Sequence, residues 1–263
     1  MQRFQRAFYS GMSSSSDLLG AIDAGVDIGV VAGRLSGFPA IWLLMRHLDR
    51  GSAVFIDSGA FGERASGTEP DWESVLSVYE RLAHLADDSL ERLYVVAPDK
   101  VGDQAGSLGR LRRYGERVRN MIDAGVQVIV PYQVGALSGA DLHRAVQEIL
   151  SSNRFIVGVP ANRDAMPAEM LRTIEHPAYH ILGRVQKNAA QAERLAAIAI
   201  ASPNAVLTAD AAWILSRMQQ VCDATRNIRA VRRQTPKQNL EPFETARRTA
   251  VRQTIKQDAR WAA

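Results

Sequence analysis

The sequence predicts an α/β fold of the (β/α)8 or TIM-barrel class, carrying a basic helical tail. Three observations lead there. Eight short runs rich in β-branched and aromatic residues recur along the chain. Segments with helical periodicity lie between them, as alternating βα units require. No glycine-rich phosphate loop follows the first run, which favours a barrel over a doubly wound open sheet. The 263 residues also match the roughly 250 typical of such a barrel.

The expected strands are Ala7–Ser10, Asp27–Val31, Ala53–Asp57, Leu93–Ala97, Gln127–Pro131, Phe155–Val159, Tyr179–Leu182 and Ala205–Thr208. Several are continuously apolar, as strands covered on both faces should be. The first helix runs from Asp17 to Ala24 and stops at Gly25; the second spans Ile41 to Leu48 before Gly51. Trp72 to Leu85 places Trp72, Val75, Leu76, Tyr79 and Leu82 on one face. Helices over Leu108–Ala124, Leu142–Leu150, Ala189–Ile200 and Ala211–Cys222 follow, and Leu108–Ala124 stops at Gly125. A glycine after the last periodic residue supplies the left-handed stop of a helix. Arg233 to Pro242 holds two prolines and few apolar residues, and reads as a linker to a last basic helix over Phe243–Trp261. The expected organisation is a barrel over residues 1–225 and a basic extension over 226–263.

Composition narrows the chemistry. The chain is 46% hydrophobic, too apolar for wholesale disorder. A single cysteine excludes an internal disulfide framework and a four-cysteine zinc site. No apolar run approaches the roughly 18 residues of a membrane helix. Serines at Ser13–Ser16 stand where a secretory leader would need apolar residues. These features fit a soluble, cytoplasmic protein that does not engage a membrane. From Arg226 onward there are ten Lys/Arg against three Asp/Glu, a net of +7, while the remaining 22 basic and 25 acidic residues give −3. The positive balance therefore lies in the tail, the electrostatic footprint of a polyanion binder, although a solvated helix face reads the same way.

Barrel active sites lie at the C-terminal ends of the strands. The candidates there are Asp57, Ser58 and Phe61 after strand 3, Asp99 and Asp103 after strand 4, and Gln133 after strand 5. Arg163 follows strand 6, Gly183 and Arg184 follow strand 7, and Asp210 follows strand 8. No histidine or cysteine is expected among them, which argues against thiol catalysis and against a zinc hydrolase. Each aspartate has a structural alternative: Asp57 and Asp99 as turn residues, Asp103 and Asp210 as helix caps. Clustered carboxylates of this kind suit glycosyl transfer, or magnesium.

At these residues the sequence resembles the tRNA-guanine transglycosylases. Phe55-Ile56-Asp57-Ser58-Gly59-Ala60-Phe61-Gly62 is similar to that family's DSGGFQ signature. Val130-Pro131-Tyr132-Gln133-Val134-Gly135 is similar to its VQGG segment, and His180-Ile181-Leu182-Gly183 to its LMGVG strand. Val157-Gly158-Val159-Pro160 stands where its glycine-rich base-binding segment falls, and Thr208-Ala209-Asp210 where its nucleophile falls. Ala97 to Asp103 looks closer to the phage and genomic-island relatives that place 7-deazaguanines in DNA. Ala60 and Gly62 depart from the signature, and the family's cysteine-rich zinc site is missing.

The resemblance implies base exchange at C1′ of a guanosine, with a 7-deazaguanine base entering DNA, slightly favoured, or tRNA. It gives Asp210 the role of nucleophile, forming a covalent glycosyl intermediate, and Asp57 the role of general base. It assigns base recognition to Asp99 or Asp103 with Gln133 and Gly158, stacking to Phe61, and Ser58 and Gly183 to the same pocket. Arg163, Arg184, Arg232 and Arg233 become candidates for phosphate contacts. It implies no metal and no cofactor, and leaves room for a homodimer or a partner protein. Two other readings compete. One is a barrel hydrolase or lyase acting on a free nucleoside or deazaguanine base; the other is a non-catalytic nucleic-acid-binding barrel.

Overall fold

The computed structural model describes residues 4–12, 14–35, 38–161, 166–183, 189–211 and 240–257. Eight parallel strands close into a barrel in sequence order: β1 (Phe4–Tyr9), β2 (Ile28–Val31), β3 (Val54–Asp57), β4 (Leu93–Val96), β5 (Gln127–Pro131), β6 (Ile156–Pro160), β7 (Ala178–Leu182) and β8 (Val206–Ala211). The described α-helices between them are α1 (Ser15–Ala24), α2 (Phe38–Asp49), α3 (Phe61–Ser66), α4 (Trp72–Ala86), α5 (Gln104–Ala124), α6 (Gly139–Leu150), α7 (Ala168–Leu171) and α8 (Ala189–Ala201). A final helix, α9 (Glu241–Gln257), follows. This is the (β/α)8 barrel that the alternating pattern predicts.

The period-two alternation of side chains sorts each strand into two cores. Phe8, Phe55, Tyr94, Val96, Ile129 and Ile156 fill the barrel interior. Their neighbours Tyr9, Val54, Ile56, Val95, Val128, Val130, Val157 and Ile181 pack outward against the helices. Inside, Phe8 meets Tyr94 at 4.9 Å and Phe55 at 5.6 Å between ring centroids. Burial of each such ring stabilises the fold by roughly 1.5–3 kcal/mol.

Local signals set the helix ends. The Ser14, Asp71, Asp103 and Ser138 side chains accept the first-turn N–H groups of α1, α4, α5 and α6, each cap contributing about 1 kcal/mol. Gly25 and Gly125 take the left-handed conformation that ends α1 and α5. Because Asp103 is a cap, α5 starts at Gln104, a turn before the apolar periodicity becomes visible. Strand β8 likewise runs on to Ala211, past the expected end at Thr208. Apart from Ala211, the expected helix to Cys222 lies outside the described residues.

The tail helix is not a free arm. Helix α9 packs along α1, with Ala250, Val251 and Ile255 buried in the outer core. Gly20 permits the approach: a Cβ there would lie 2.5 Å from the Arg248 carbonyl oxygen and 2.8 Å from Val251 Cβ. The Arg247 guanidinium grips the fully buried Asp17 carboxylate through two bonds of 2.6 and 2.9 Å. Arg248 does the same to Asp23 and holds that carboxyl below its usual range. Part of the tail's positive charge is therefore neutralised by α1, while Arg252 and Lys256 stay exposed.

Candidate active site

Three carboxylates meet at the C-terminal mouth of the barrel, two of them, Asp57 and Asp210, placed by strand parity. Asp57 follows the inward Phe55 by two residues on β3, and Asp210 follows Thr208 by two on β8. Asp99 sits just past β4. Gly59, at φ +83°, turns the chain after β3 and donates its N–H to Asp57 Oδ1 at 3.0 Å. Removal from water pushes the Asp57 carboxyl up to about 6, with the charge of Asp210 adding to the rise.

Asp99 is only 4% exposed. Its Oδ2 accepts Gln133 Nε2–H at 2.9 Å. Gln133 is oriented by Gly102, whose N–H donates to Oε1 at 3.0 Å, so its amide nitrogen must face Asp99. Gln104 clamps the next loop, donating to the Gln133 and Leu137 carbonyls and accepting Leu137 N–H at 2.8 Å. Burial pushes the Asp99 carboxyl up to about 7, against the lowering effect of Gln133. Its Oδ1 makes no hydrogen bond among the described residues and remains for a ligand. Arg110 of α5 braces this edge by donating to the Asp99 carbonyl and, through two bonds of 2.7 and 2.8 Å, to Glu63 of α3.

Asp210 is held most firmly. Gly183 N–H donates to its Oδ1 at 2.7 Å, and His180 Nε2 lies 3.4 Å from the same oxygen. Ser10 Oγ donates to Oδ2 at 3.2 Å. The expectation that no histidine joins the mouth is therefore corrected. His180 faces inward because it shares the parity of Thr208 and Asp210, and it is fully buried. That parity on the Tyr179-His180-Ile181 run was the available signal. Ser10 carried a similar one, two residues after the inward Phe8.

The other sequence candidates take varied places. Phe61 opens α3 and is 68% exposed beside the mouth. Ser58 is buried and accepts Ala60 N–H at 3.2 Å, so its hydroxyl shapes the turn. Asp103 caps α5 through Gly106 N–H at 2.8 Å and pairs with Lys100 at 2.9 Å, so of the two base-reading candidates only Asp99 faces the other carboxylates. Gly158 faces inward where a Cβ would lie 2.9–3.0 Å from Ile129, Leu182 and the Pro131 backbone. Its carbonyl accepts Tyr132 N–H. The Gly183 amide is occupied by Asp210. Arg163, Arg184, Arg232 and Arg233 lie outside the described residues. Among the described residues, no group of three His, Cys, Asp or Glu side chains is arranged to hold a metal ion, and no helix is long and apolar enough to cross a membrane.

No family model and no curated protein matches the chain. Solved structures share its barrel. A protein described as a candidate fructose-1,6-biphosphate aldolase of Coccidioides immitis superposes with a TM-score of 0.53 at 10% identity, over 96% of this chain and 90% of that one. A D-psicose 3-epimerase gives 0.46 at 12% identity, over 78% and 84%. A D-allulose 3-epimerase of Methylomonas gives 0.44 at 14% identity, over 80% and 85%. At these identities the likeness is one of fold.

Proposed function

We propose that the barrel mouth exchanges a guanine for a 7-deazaguanine at an N-glycosidic bond in nucleic acid, DNA favoured over tRNA. The observation that carries the reading is the Asp99–Gln133 pair. It offers an open carboxylate oxygen beside amide N–H, the complement of the guanine N1–H, exocyclic amine and O6 edge. Beside it stand two further carboxylates on β3 and β8, as covalent glycosyl transfer requires.

In the first half-reaction an Asp210 oxygen attacks C1′. The C1′–N9 bond breaks, its electron pair leaves with guanine, and protonated Asp57 supplies the N9 proton. In the second half the Asp57 carboxylate takes the N9 proton of the incoming base, N9 attacks C1′, and Asp210 leaves as carboxylate. A carboxyl near 6 can serve both directions near neutral pH. Asp99 and Gln133 orient the base, and Phe61 lies where a flipped-out base could stack. No cofactor is consumed, since one glycosidic bond replaces another.

One observation favours a second reading, a hydrolase or lyase acting on a free nucleoside or deazaguanine base: Arg247 and Arg248 of the tail are turned onto α1 rather than toward a polyanion. Incubation with radiolabelled guanine and, separately, duplex DNA, single-stranded DNA and tRNA tests the choice. Label entering one polymer, and none with Asp210→Asn, supports exchange and identifies the substrate. Turnover of free nucleosides with no label in any polymer supports the second reading. Salt-sensitive polymer binding that survives loss of Asp57 and Asp210, without turnover, would leave a non-catalytic binder.

A further inference from the structure

We infer that His180 is a positioning residue for Asp210: its Nε2 carries a proton aimed at Oδ1, which anchors that oxygen and leaves Oδ2 to attack. The catalytic consequence rests on the glycosyl-transfer reading; the proton position does not.

The geometry selects one proton placement. The His180 ring is fully buried and stacks on Phe55 with centroids 5.0 Å apart and planes 12° from parallel. Phe8 flanks it at 6.0 Å. These rings fix the imidazole plane. Within it, Nδ1 lies 2.8 Å from Thr208 Oγ1 and Nε2 lies 3.4 Å from Asp210 Oδ1. A carboxylate oxygen only accepts. A bare Nε2 would set two acceptors against each other in a dry interior, and unmatched polar atoms there are costly. A proton on Nε2 removes the conflict. Thr208 accommodates either state of Nδ1, because its hydroxyl can donate to Nδ1 or to the Tyr179 carbonyl at 3.5 Å.

The two carboxylate oxygens then differ. Oδ1 receives Gly183 N–H and His180 Nε2–H, both fixed by β7 and the turn after it. Among the described residues, Oδ2 receives only the Ser10 hydroxyl, which can rotate away. Two rigid donors on one oxygen stop the carboxylate from turning and leave the other, lightly held oxygen as the nucleophile. Among the described residues, this arrangement distinguishes Asp210 from Asp57, whose Gly59 bond is local.

The test is in two parts. Imidazole 15N–1H correlation spectra of the wild-type protein, with the His180 signal assigned by its loss in His180→Gln, report the proton directly. Protonated Nε2 is expected; a bare Nε2 at neutral pH overturns the inference whether or not the protein exchanges bases. Kinetics supply the second part. His180→Phe keeps the stack on Phe55 and removes the donor, and should lower kcat for exchange by about 10- to 100-fold, as loss of one hydrogen bond to a charged group does, with KM for the base unchanged. His180→Gln, whose amide can reach Oδ1, should recover most of that loss. A folded His180→Phe with wild-type kcat, or an equal loss in both variants, overturns the positioning role. Absence of exchange in the wild type refutes the glycosyl-transfer reading, and the spectra still decide the proton.

Discussion

Asp99→Asn should make the protein more stable at alkaline pH while removing its activity. The carboxyl is buried and its folded value stands at about 7 against an ordinary 3.8. A folded value raised above the unfolded one contributes stability that is complete below about pH 4 and is lost as pH rises through about 7. At 1.36 kcal/mol per tenfold change, full ionisation costs on the order of 2–4 kcal/mol once relaxation around the charge is allowed for. Asparagine is isosteric, and its oxygen can still accept Gln133 Nε2–H while carrying no charge. Urea midpoints at pH 5 and pH 8.5 are the assay. Part of the loss precedes pH 5, where the unfolded carboxyl is already ionised, so the wild type should lose roughly 1–2.5 kcal/mol between them and Asp99→Asn much less. The same variant should lose base exchange by at least about 100-fold, because an amide nitrogen would face ligand donors. A variant no more stable than the wild type at pH 8.5 would refute the claim that an ionised Asp99 is a burden on the empty fold.

Arg247→Met should destabilise the fold by about 3 kcal/mol, since it takes the guanidinium away from the fully buried Asp17 carboxylate; urea denaturation, with Asp17→Asn restoring part of the loss, checks this. Acid should act through His143, whose ring lies against Tyr132 and His176 and whose folded value is pushed down to about 4 by burial, with His176 adding to it. A lowered histidine stabilises fully above 6.5, and that contribution fades as pH falls toward 4, by about 1–2 kcal/mol after discounting for solvent at the ring edge. His143→Phe should flatten that limb of the stability curve. Phe61→Ala should leave the melting temperature within 1–2 °C, because the ring is 68% exposed, yet raise KM for the base about 10-fold, as loss of one stacking partner does.

The fold was legible because most βα units announce themselves twice, by a β-branched run and by a glycine or capping residue beside it; the first run, Ala7–Ser10, has no β-branched residue, and its strand starts three residues earlier, at Phe4. Gln127–Pro131 was readable to the residue for that reason, and Gly25 and Gly125 mark helix ends that no apolar count could locate. The starts of helices were harder. Gln104 to Ser107 carry no apolar stripe, so only the Asp103 cap betrays that α5 has begun. In the site, the aspartates stood out because a carboxylate after an apolar strand is costly unless it is used. His180 and Ser10 did not stand out. Histidine is amphipathic enough to pass for core, and the strand-end rule looks past Leu182, whereas His180 sits two residues deeper, on the floor beneath Asp210. Asp103 shows the converse: adjacent to the site in sequence, it is committed to a helix cap and a lysine.

The closure of the barrel has a consequence for biosynthesis. Strand β1 meets β2 at Tyr9 opposite Ile28, but it runs beside β8 from Phe4 opposite Leu207 to Tyr9 opposite Ala211. Its hydrogen-bonding edge thus waits for the last of the eight strands; Ser10 and Asp210 are separated by 200 positions. At about 5–20 residues per second, a ribosome leaves that edge open for roughly 10–40 s. Until then the nascent chain exposes an unpaired strand, the kind of surface that chaperones cover. The Ser10–Asp210 bond joins the two ends of the barrel at the mouth, so a chain cut before β8 would carry most of a barrel without its third carboxylate.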